Sequence, residues 1–130
     1  MLKPKILVVD DDNDYLESTA AILKAEGYEV IAADNSKGGL EKAISELPQL
    51  IIIDLLMNTV NEGYDFCLAI RSDRRFEGVP LLMISSIHQH EKFKDANFVP
   101  DEFWFPIDTF LDKPIDKGTL LECVIKLLRK

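Results

Sequence analysis

The chain has 130 residues, 47% of them hydrophobic, and a formal net charge of -8. This length fits one domain with a single core, the composition excludes intrinsic disorder, and the negative charge argues against binding to a nucleic acid backbone. No apolar stretch approaches the roughly 18 residues of a membrane span, and no signal-peptide hydrophobic region is present, so we expect a cytoplasmic protein without a membrane partner.

Short apolar runs alternate with amphipathic helical patterns along the chain. Strands are predicted at 5–9, 28–33, 50–53, 81–85 and 108–112. Helices are predicted at 14–26, 36–47, 64–71 and 117–128, with Gly27 ending the first helix and Ser36 capping the second. Repeated βα units predict a parallel sheet with right-handed crossovers and helices on both faces.

The segment 87–107 interrupts this alternation. It contains His88, His90, two prolines and a dense group of aromatic residues: Phe93, Phe98, Phe103, Trp104 and Phe105. We predict a short or irregular fourth helix followed by a long loop. The aromatic rings either fill the space beside a shortened helix or form an exposed patch for a partner or a homodimer. The two histidines have no third ligand at a suitable spacing and are expected to be surface residues.

Acidic residues and a lysine follow the predicted strands. Asp10, Asp11 and Asp12 come directly after the first strand, Asp54 after the third, and Lys113 after the fifth. Because ligands bind beyond the carboxyl ends of parallel strands, we expect two or three of these acids and the lysine to meet in one pocket. Clustered carboxylates repel one another unless a cation lies among them, so the pattern predicts a metal site. The alternative for Asp10 or Asp12, each taken singly, is a helix cap.

These residue types suit phosphoryl transfer. Asp54 is the candidate nucleophile, since an aspartate can attack phosphorus to form an acyl phosphate. Asp10 and Asp11 would hold Mg²⁺, which takes one or two carboxylates together with waters and phosphate oxygens. Lys113 would supply a compact positive charge, and Ser85, at the end of the fourth strand, would hydrogen-bond a phosphoryl oxygen.

The chain resembles the receiver domains of two-component response regulators along essentially its whole length. The matching motifs are Val9-Asp10-Asp11-Asp12, Asp54-Leu55-Leu56-Met57, Pro80-Leu81-Leu82-Met83-Ile84-Ser85-Ser86 and Phe110-Leu111-Asp112-Lys113-Pro114. The resemblance implies an α/β, flavodoxin-like three-layer sandwich with a five-stranded parallel sheet of order 2-1-3-4-5. It also implies a single receiver domain over residues 1–130, with no output domain.

The resemblance assigns a metal site and a phosphorylation site. Asp54 would be the phosphoacceptor and a ligand of Mg²⁺. Asp11 would bind the ion directly, and Asp10 would assist through a water molecule. The backbone carbonyl of Leu56 would complete the protein ligands.

The resemblance also assigns a switch. Ser85 and Phe110 match the family's switch residues, Lys113 matches its phosphate-contacting lysine, and the Lys113-Pro114 bond is expected to be cis. A sensor histidine kinase or a phosphotransfer protein would supply the phosphoryl group. The face made by the fourth helix, the fifth strand and the last helix would then change shape and signal to a downstream protein. Such a receiver is not an enzyme, although it assists its own phosphotransfer and slow autodephosphorylation.

The loop after Asp54 departs from the family pattern. Asn58 stands where the family usually has proline, and Gly63 lies one residue later than usual. Leu56 and Ile87 occupy two variable positions beside the pocket, where polar residues tend to help water attack the acyl phosphate. Two apolar residues there predict a long-lived phosphoryl group.

Other function classes fit the sequence less well. A haloacid-dehalogenase-type phosphatase needs a second acid where Leu56 stands, and the acids after the first strand would repel the phosphate of a flavodoxin cofactor. The remaining alternative is a receiver-like interaction module that is not phosphorylated. Such a module would keep the fold and lose the site residues, whereas this sequence keeps them.

Overall fold

The computed structural model describes residues 3–54, 60–85 and 107–129. The strands are β1 (Lys5–Val9), β2 (Glu29–Ala33), β3 (Leu50–Ile53), β4 (Leu81–Ser85) and β5 (Thr109–Asp112). The helices are α1 (Asn13–Ala25), α2 (Ser36–Glu46), α3 (Val60–Ser72) and α4 (Lys117–Leu128), and a short 3-10 helix spans Arg74–Phe76. The predicted irregular helix, His88, His90 and the aromatic group lie outside the described residues.

The five strands form one sheet of order β2-β1-β3-β4-β5, which confirms the predicted topology. Every neighbouring pair is parallel, and the register aligns the strands near their carboxyl ends. Val9 is opposite both Ala33 and Ile53, Ile53 is opposite Met83, and Met83 is opposite Phe110. Residues that follow these strands are therefore brought to one edge of the sheet.

Two hydrophobic layers cover the sheet, which explains why the central strands read as continuous apolar runs. One face packs against α2 and α3 through Leu7, Val9, Ile51, Ile53, Leu81, Met83, Ala43, Phe66, Cys67 and Ile70. The other face packs against α1 and α4 through Ile6, Val8, Leu50, Ile52, Leu82, Ile84, Leu16, Leu23, Leu120, Val124 and Leu127. Alternate side chains of the central strands are therefore buried on opposite faces of the sheet.

The helix boundaries confirm one sequence expectation and correct two. Gly27 has a φ of 93° just after α1, as expected for a glycine that ends a helix. The expectation that Ser36 caps α2 is wrong, because Asn35 is the cap and its Oδ1 accepts a 2.7 Å hydrogen bond from the Gly38 amide. Helix α3 begins at Val60 rather than at 64, and it includes Gly63, which is buried. A glycine in a first helical turn is tolerated when the surrounding structure favours the helix.

A close helix approach positions α2 beside the end of β1. A Cβ atom added at Gly39 would lie 2.8 Å from Val9 Cγ2, so α2 can pack this close only with glycine there.

Among the described residues, no helix is long and apolar enough to cross a lipid bilayer.

Candidate functional site

The sheet's hydrogen-bond ladder continues one residue past the strands and places the site. The Asp10 amide donates to the Ala33 carbonyl at 3.1 Å, and the Asp54 amide donates to the Val9 carbonyl at 3.0 Å. The Lys113 amide donates to the Ser85 carbonyl at 2.8 Å. The backbones that carry the predicted acids and the predicted lysine are thus fixed by the same ladder that forms the sheet.

The side chains of these residues meet in one pocket. Lys113 Nζ lies 2.8 Å from Asp10 Oδ2 and 3.1 Å from Asp54 Oδ2. Asp10 and Asp54 are only 4% and 6% exposed, whereas Asp11 is exposed. One carboxylate oxygen from each of the three aspartates lies within 4.8 Å of the other two. The structure therefore brings together Asp10, Asp11, Asp54 and Lys113. Asp12 is exposed and is instead the cap of α1, the alternative that the sequence left open for it.

Among the described residues, the pocket holds three carboxylates and one ammonium. The pKa values of the acids show that their surroundings oppose ionisation. Burial raises the pKa of Asp10 to about 6, with the charge of Asp54 adding to the effect, although the Lys113 ammonium and the Asp12 amide oppose it. Burial and the nearby Asp54 charge also raise the pKa of Asp11. Burial would lower the pKa of Lys113, but its hydrogen bond to Asp10 and the charge of Asp54 outweigh burial and raise it.

A divalent cation would fit this donor set. Three carboxylates offer hard oxygen ligands at one edge of the sheet, and a cation among them would reduce their mutual repulsion. Mg²⁺ prefers such oxygen ligands and keeps several waters, so an exposed group such as Asp11 is compatible with it. Asp10, Asp11 and Asp54 are the described residues that could hold the ion, whereas Leu56 lies outside the described residues.

The two predicted switch residues lie on β4 and β5. Ser85 is fully buried, and its Oγ has no hydrogen-bond partner within residues 3–54, 60–85 and 107–129. Phe110 is half-buried and packs against the core layer beneath α2 and α3. The Lys113-Pro114 peptide bond is cis, as expected from the resemblance.

Two residues near the site were missed in the sequence. The ring of Tyr15, in the first turn of α1, lies beside Lys113, with 4.1 Å between its centroid and Nζ. Glu62, in the first turn of α3, accepts a 2.7 Å hydrogen bond from Ser36 Oγ, and its charge helps raise the pKa of Asp11. The sequence pattern indicates only that Tyr15 is part of an amphipathic helix and that Glu62 is a polar loop residue. Each residue is far in sequence from the residue that it contacts, so local patterns did not indicate it.

Comparison with known proteins points to one family. Residues 6–125 match the family model described as the response regulator receiver domain. Protein PilG of Pseudomonas aeruginosa is 30% identical over 123 residues, which cover 92% of this chain and 84% of PilG. The DNA-binding dual master transcriptional regulator RpaA of Synechocystis is 31% identical over 128 residues, which cover 98% of this chain and 50% of RpaA. The chain thus spans about half the length of RpaA.

Solved structures with this fold agree with these matches. The chemotaxis protein CheY4 of Vibrio cholerae superposes with a TM-score of 0.81 at 27% identity, covering 97% of this chain and 99% of that chain. A CheY-like response regulator receiver domain protein of Methanospirillum hungatei superposes with a TM-score of 0.79 at 27% identity, covering 98% and 95%. The likeness extends over nearly the full length of both proteins.

Proposed function

The chain belongs to the response regulator receiver domain family, and from that premise we propose that Asp54 accepts a phosphoryl group from a histidine kinase or a phosphotransfer protein. The observation that carries the proposal is the pocket in which buried Asp54 lies beside Asp10, Asp11 and the Lys113 ammonium. We further propose that residues 1–130 act as one receiver domain.

The transfer would be a displacement at phosphorus. A carboxylate oxygen of Asp54 attacks the phosphorus atom, and the bond from phosphorus to the donor imidazole nitrogen breaks. The imidazole nitrogen keeps the electron pair of that bond and takes up a proton. The acyl phosphate on Asp54 carries about -1.5 to -2 units of charge in place of the single negative charge of the carboxylate, and it presents strong acceptor oxygens. Lys113 Nζ, 3.1 Å from Asp54 Oδ2, is close enough to follow that charge.

Mg²⁺ is the cofactor that we propose for this transfer. Asp10, Asp11 and Asp54 would hold it, with Asp10 acting through a water molecule and the Leu56 carbonyl as a further ligand. When bound, the ion would offset the repulsion between the carboxylates and the incoming phosphoryl oxygens. The raised pKa values of Asp10 and Asp11 support this proposal, since burial and the charge of Asp54 oppose the ionised carboxylates and a bound cation would stabilise them.

The phosphoryl group would act through Ser85 and Phe110. Ser85 Oγ is buried without a partner among the described residues, so a phosphoryl oxygen nearby would supply its missing hydrogen bond. Movement of Ser85 would leave space into which Phe110 turns. The resulting change on the face of β5 and α4 would be a population shift to which a downstream protein responds.

Phosphorylation can be tested with a small-molecule donor. The protein is incubated with Mg²⁺ and acetyl phosphate, and its intact mass is measured. We expect a gain of one phosphoryl group that is lost in Asp54→Ala and in the presence of EDTA. Asp34→Ala is the matched control, because Asp34 also follows a strand but lies exposed after β2. It should be phosphorylated like the wild type.

The opposite result would identify the alternative function. No mass gain in the wild type under these conditions would favour a receiver-like interaction module that is not phosphorylated. A gain that persists in Asp54→Ala would place the phosphoacceptor elsewhere.

A further inference from the structure

The ring of Tyr15 contacts Lys113, although Tyr15 is not one of the residues that follow the strands. Lys113 Nζ lies 4.1 Å from the centroid of the Tyr15 ring, well within the roughly 6 Å over which an aromatic face attracts a cation. The same ammonium contacts Asp10 and Asp54, and the lysine side chain is only 13% exposed. The ammonium is thus held by the ring as well as by two carboxylates.

The fold holds the Tyr15 ring in place from several directions. Its backbone amide donates a 3.2 Å hydrogen bond to the side chain of Asp12, the cap of α1. Its ring packs against the core layer beneath α1 and α4. Burial raises the pKa of Tyr15, with Lys113 and a hydrogen bond from the Ile115 amide opposing the effect, so the ring is a neutral phenol at neutral pH. The ring is therefore a fixed, uncharged surface.

An uncharged contact has a different role from that of the two acids. A metal ion bound to the carboxylates would compete with Lys113 for the same oxygens and would repel its charge. Phosphorylation would also change Asp54, one of the two carboxylates that the ammonium contacts among the described residues. The aromatic face attracts the ammonium in all of these states, because it neither binds Mg²⁺ through a carboxylate nor accepts the phosphoryl group.

We propose that Tyr15 is a positioning residue for phosphoryl transfer, whose ring face keeps Lys113 Nζ beside Asp54 when the acids are engaged elsewhere. This inference rests on the proposed function. A lysine side chain has four flexible carbons, and holding it in one place costs conformational entropy. The ring reduces the number of positions that the ammonium samples before the phosphoryl group arrives.

The kinetic test compares four proteins: the wild type, Tyr15→Leu, Tyr15→Phe and Tyr28→Leu. Rates of phosphorylation by acetyl phosphate with Mg²⁺ are measured by intact mass. Tyr15→Leu should be slower by roughly 2- to 30-fold, the range expected for loss of a cation–π contact. Tyr15→Phe keeps the ring face and should restore most of that rate. Tyr28 is also half-buried against the same core layer, so Tyr28→Leu controls for loss of a tyrosine and should match the wild type.

A spectroscopic test reads the contact directly, without Mg²⁺ or phosphorylation. In proton–carbon NMR spectra, the ε-methylene protons of Lys113 should be shifted upfield by the ring current in the wild type and in Tyr15→Phe. In Tyr15→Leu they should move to the position of ordinary lysines. The resonance is assigned by its disappearance in Lys113→Met.

These two measurements separate the inference from the function on which it rests. If the wild type is not phosphorylated, the proposed function fails, and the NMR shift alone decides whether the ring holds Lys113. If Tyr15→Leu is as fast as the wild type, or Tyr28→Leu is equally slow, the positioning role is wrong. If Tyr15→Phe is as slow as Tyr15→Leu, the hydroxyl near Ile115 acts rather than the ring face, and the proposal is overturned.

Discussion

Two lysines at opposite edges of the sheet each contact two carboxylates, yet their surroundings differ. Lys5 lies at the start of β1, at the amino edge, and Lys113 follows β5 at the carboxyl edge. Lys5 Nζ is 3.4 Å from Glu29 and 3.1 Å from Glu46, and the side chains of these acids are 55% and 44% exposed. Water therefore solvates every charge in the Lys5 cluster.

The Lys113 cluster has similar distances between nitrogen and oxygen atoms, but its side chains are far less exposed to solvent. Its ammonium lies 2.8 Å from Asp10 and 3.1 Å from Asp54, and the side chains of these acids are only 5% and 6% exposed. A third carboxylate, that of Asp11, is within 4.8 Å of the other two. The charges of Asp10, Asp54 and Lys113 are thus largely buried, and three carboxylates lie near one ammonium.

The comparison shows that distance alone does not reveal which charges matter. Exposed ion pairs contribute little to stability, because solvent already stabilises each charge and salt screens the pair. Buried charges depend on their partners, and removal of one partner leaves the others without compensation. An excess of buried acid is costly in the isolated protein, and it is suited to attract a cation.

The two edges should differ most in how much stability is lost when the lysine is replaced. Lys113→Met should lower the free energy of unfolding by about 3 to 5 kcal/mol, because two buried carboxylates lose their shared cation. Lys5→Met, the matched variant at the amino edge, should leave the urea denaturation midpoint nearly unchanged. Equal effects of the two substitutions would contradict the distinction between buried and solvated clusters.

Removal of one acid at the carboxyl edge should change the free energy of unfolding in the opposite direction. Asp10→Asn should raise the free energy of unfolding at pH 7 by about 1 to 3 kcal/mol, because it removes a carboxylate whose ionisation is opposed by burial and by Asp54. Glu46→Gln is the control at the amino edge, and it should not stabilise the protein. Urea denaturation without added metal measures both. A loss of stability in Asp10→Asn would show that the pairing with Lys113 outweighs the repulsion.

The smallest effect is a dependence of stability on pH. The pKa of Asp10 is about 6 in the folded protein and 3.8 for an ordinary aspartate, so between these values the folded state binds more protons than the unfolded state. The contribution of Asp10 to the free energy of unfolding is therefore fully present below pH 3.8, and it is lost as the pH rises through about 6. The slope is at most about 1.4 kcal/mol per pH unit.

This slope is isolated by comparing the wild type with Asp10→Asn from pH 4 to 7 in the absence of metal. The difference in stability between the two proteins should grow in favour of the variant as the pH rises. A difference that is constant across this range would mean that Asp10 titrates normally.

Much of the fold follows from local patterns. The strand-end acids and Lys113 were predicted because a parallel sheet aligns the carboxyl ends of its strands, whatever the details of packing. The order of the strands and the cis bond before Pro114 were implied by the family resemblance, and both are confirmed. The cap at Ser36 was predicted wrongly, because Asn35 and Ser36 are both good caps and only the backbone geometry distinguishes them.

The contacts around the acids could not be predicted in the same way. Tyr15 meets Lys113 across 98 residues of chain (113 − 15), and Glu62 meets Ser36 across 26. Neither residue has a distinctive local motif. Such contacts depend on how α1 and α3 pack against the sheet, and packing is decided by side chains from several elements at once.

The sequence by itself determined the sheet, its chemistry-bearing edge and the identity of the acids and the lysine, because side-chain periodicity and strand ends are local properties. The tertiary structure alone decided the burial of these charges, the raised pKa of Asp10 and the ring beside Lys113. The physical reason is that electrostatic energy depends on the solvent removed by surrounding elements. The Lys5 and Lys113 clusters look alike in distance, and only the packing around them separates a solvated surface contact from a candidate site.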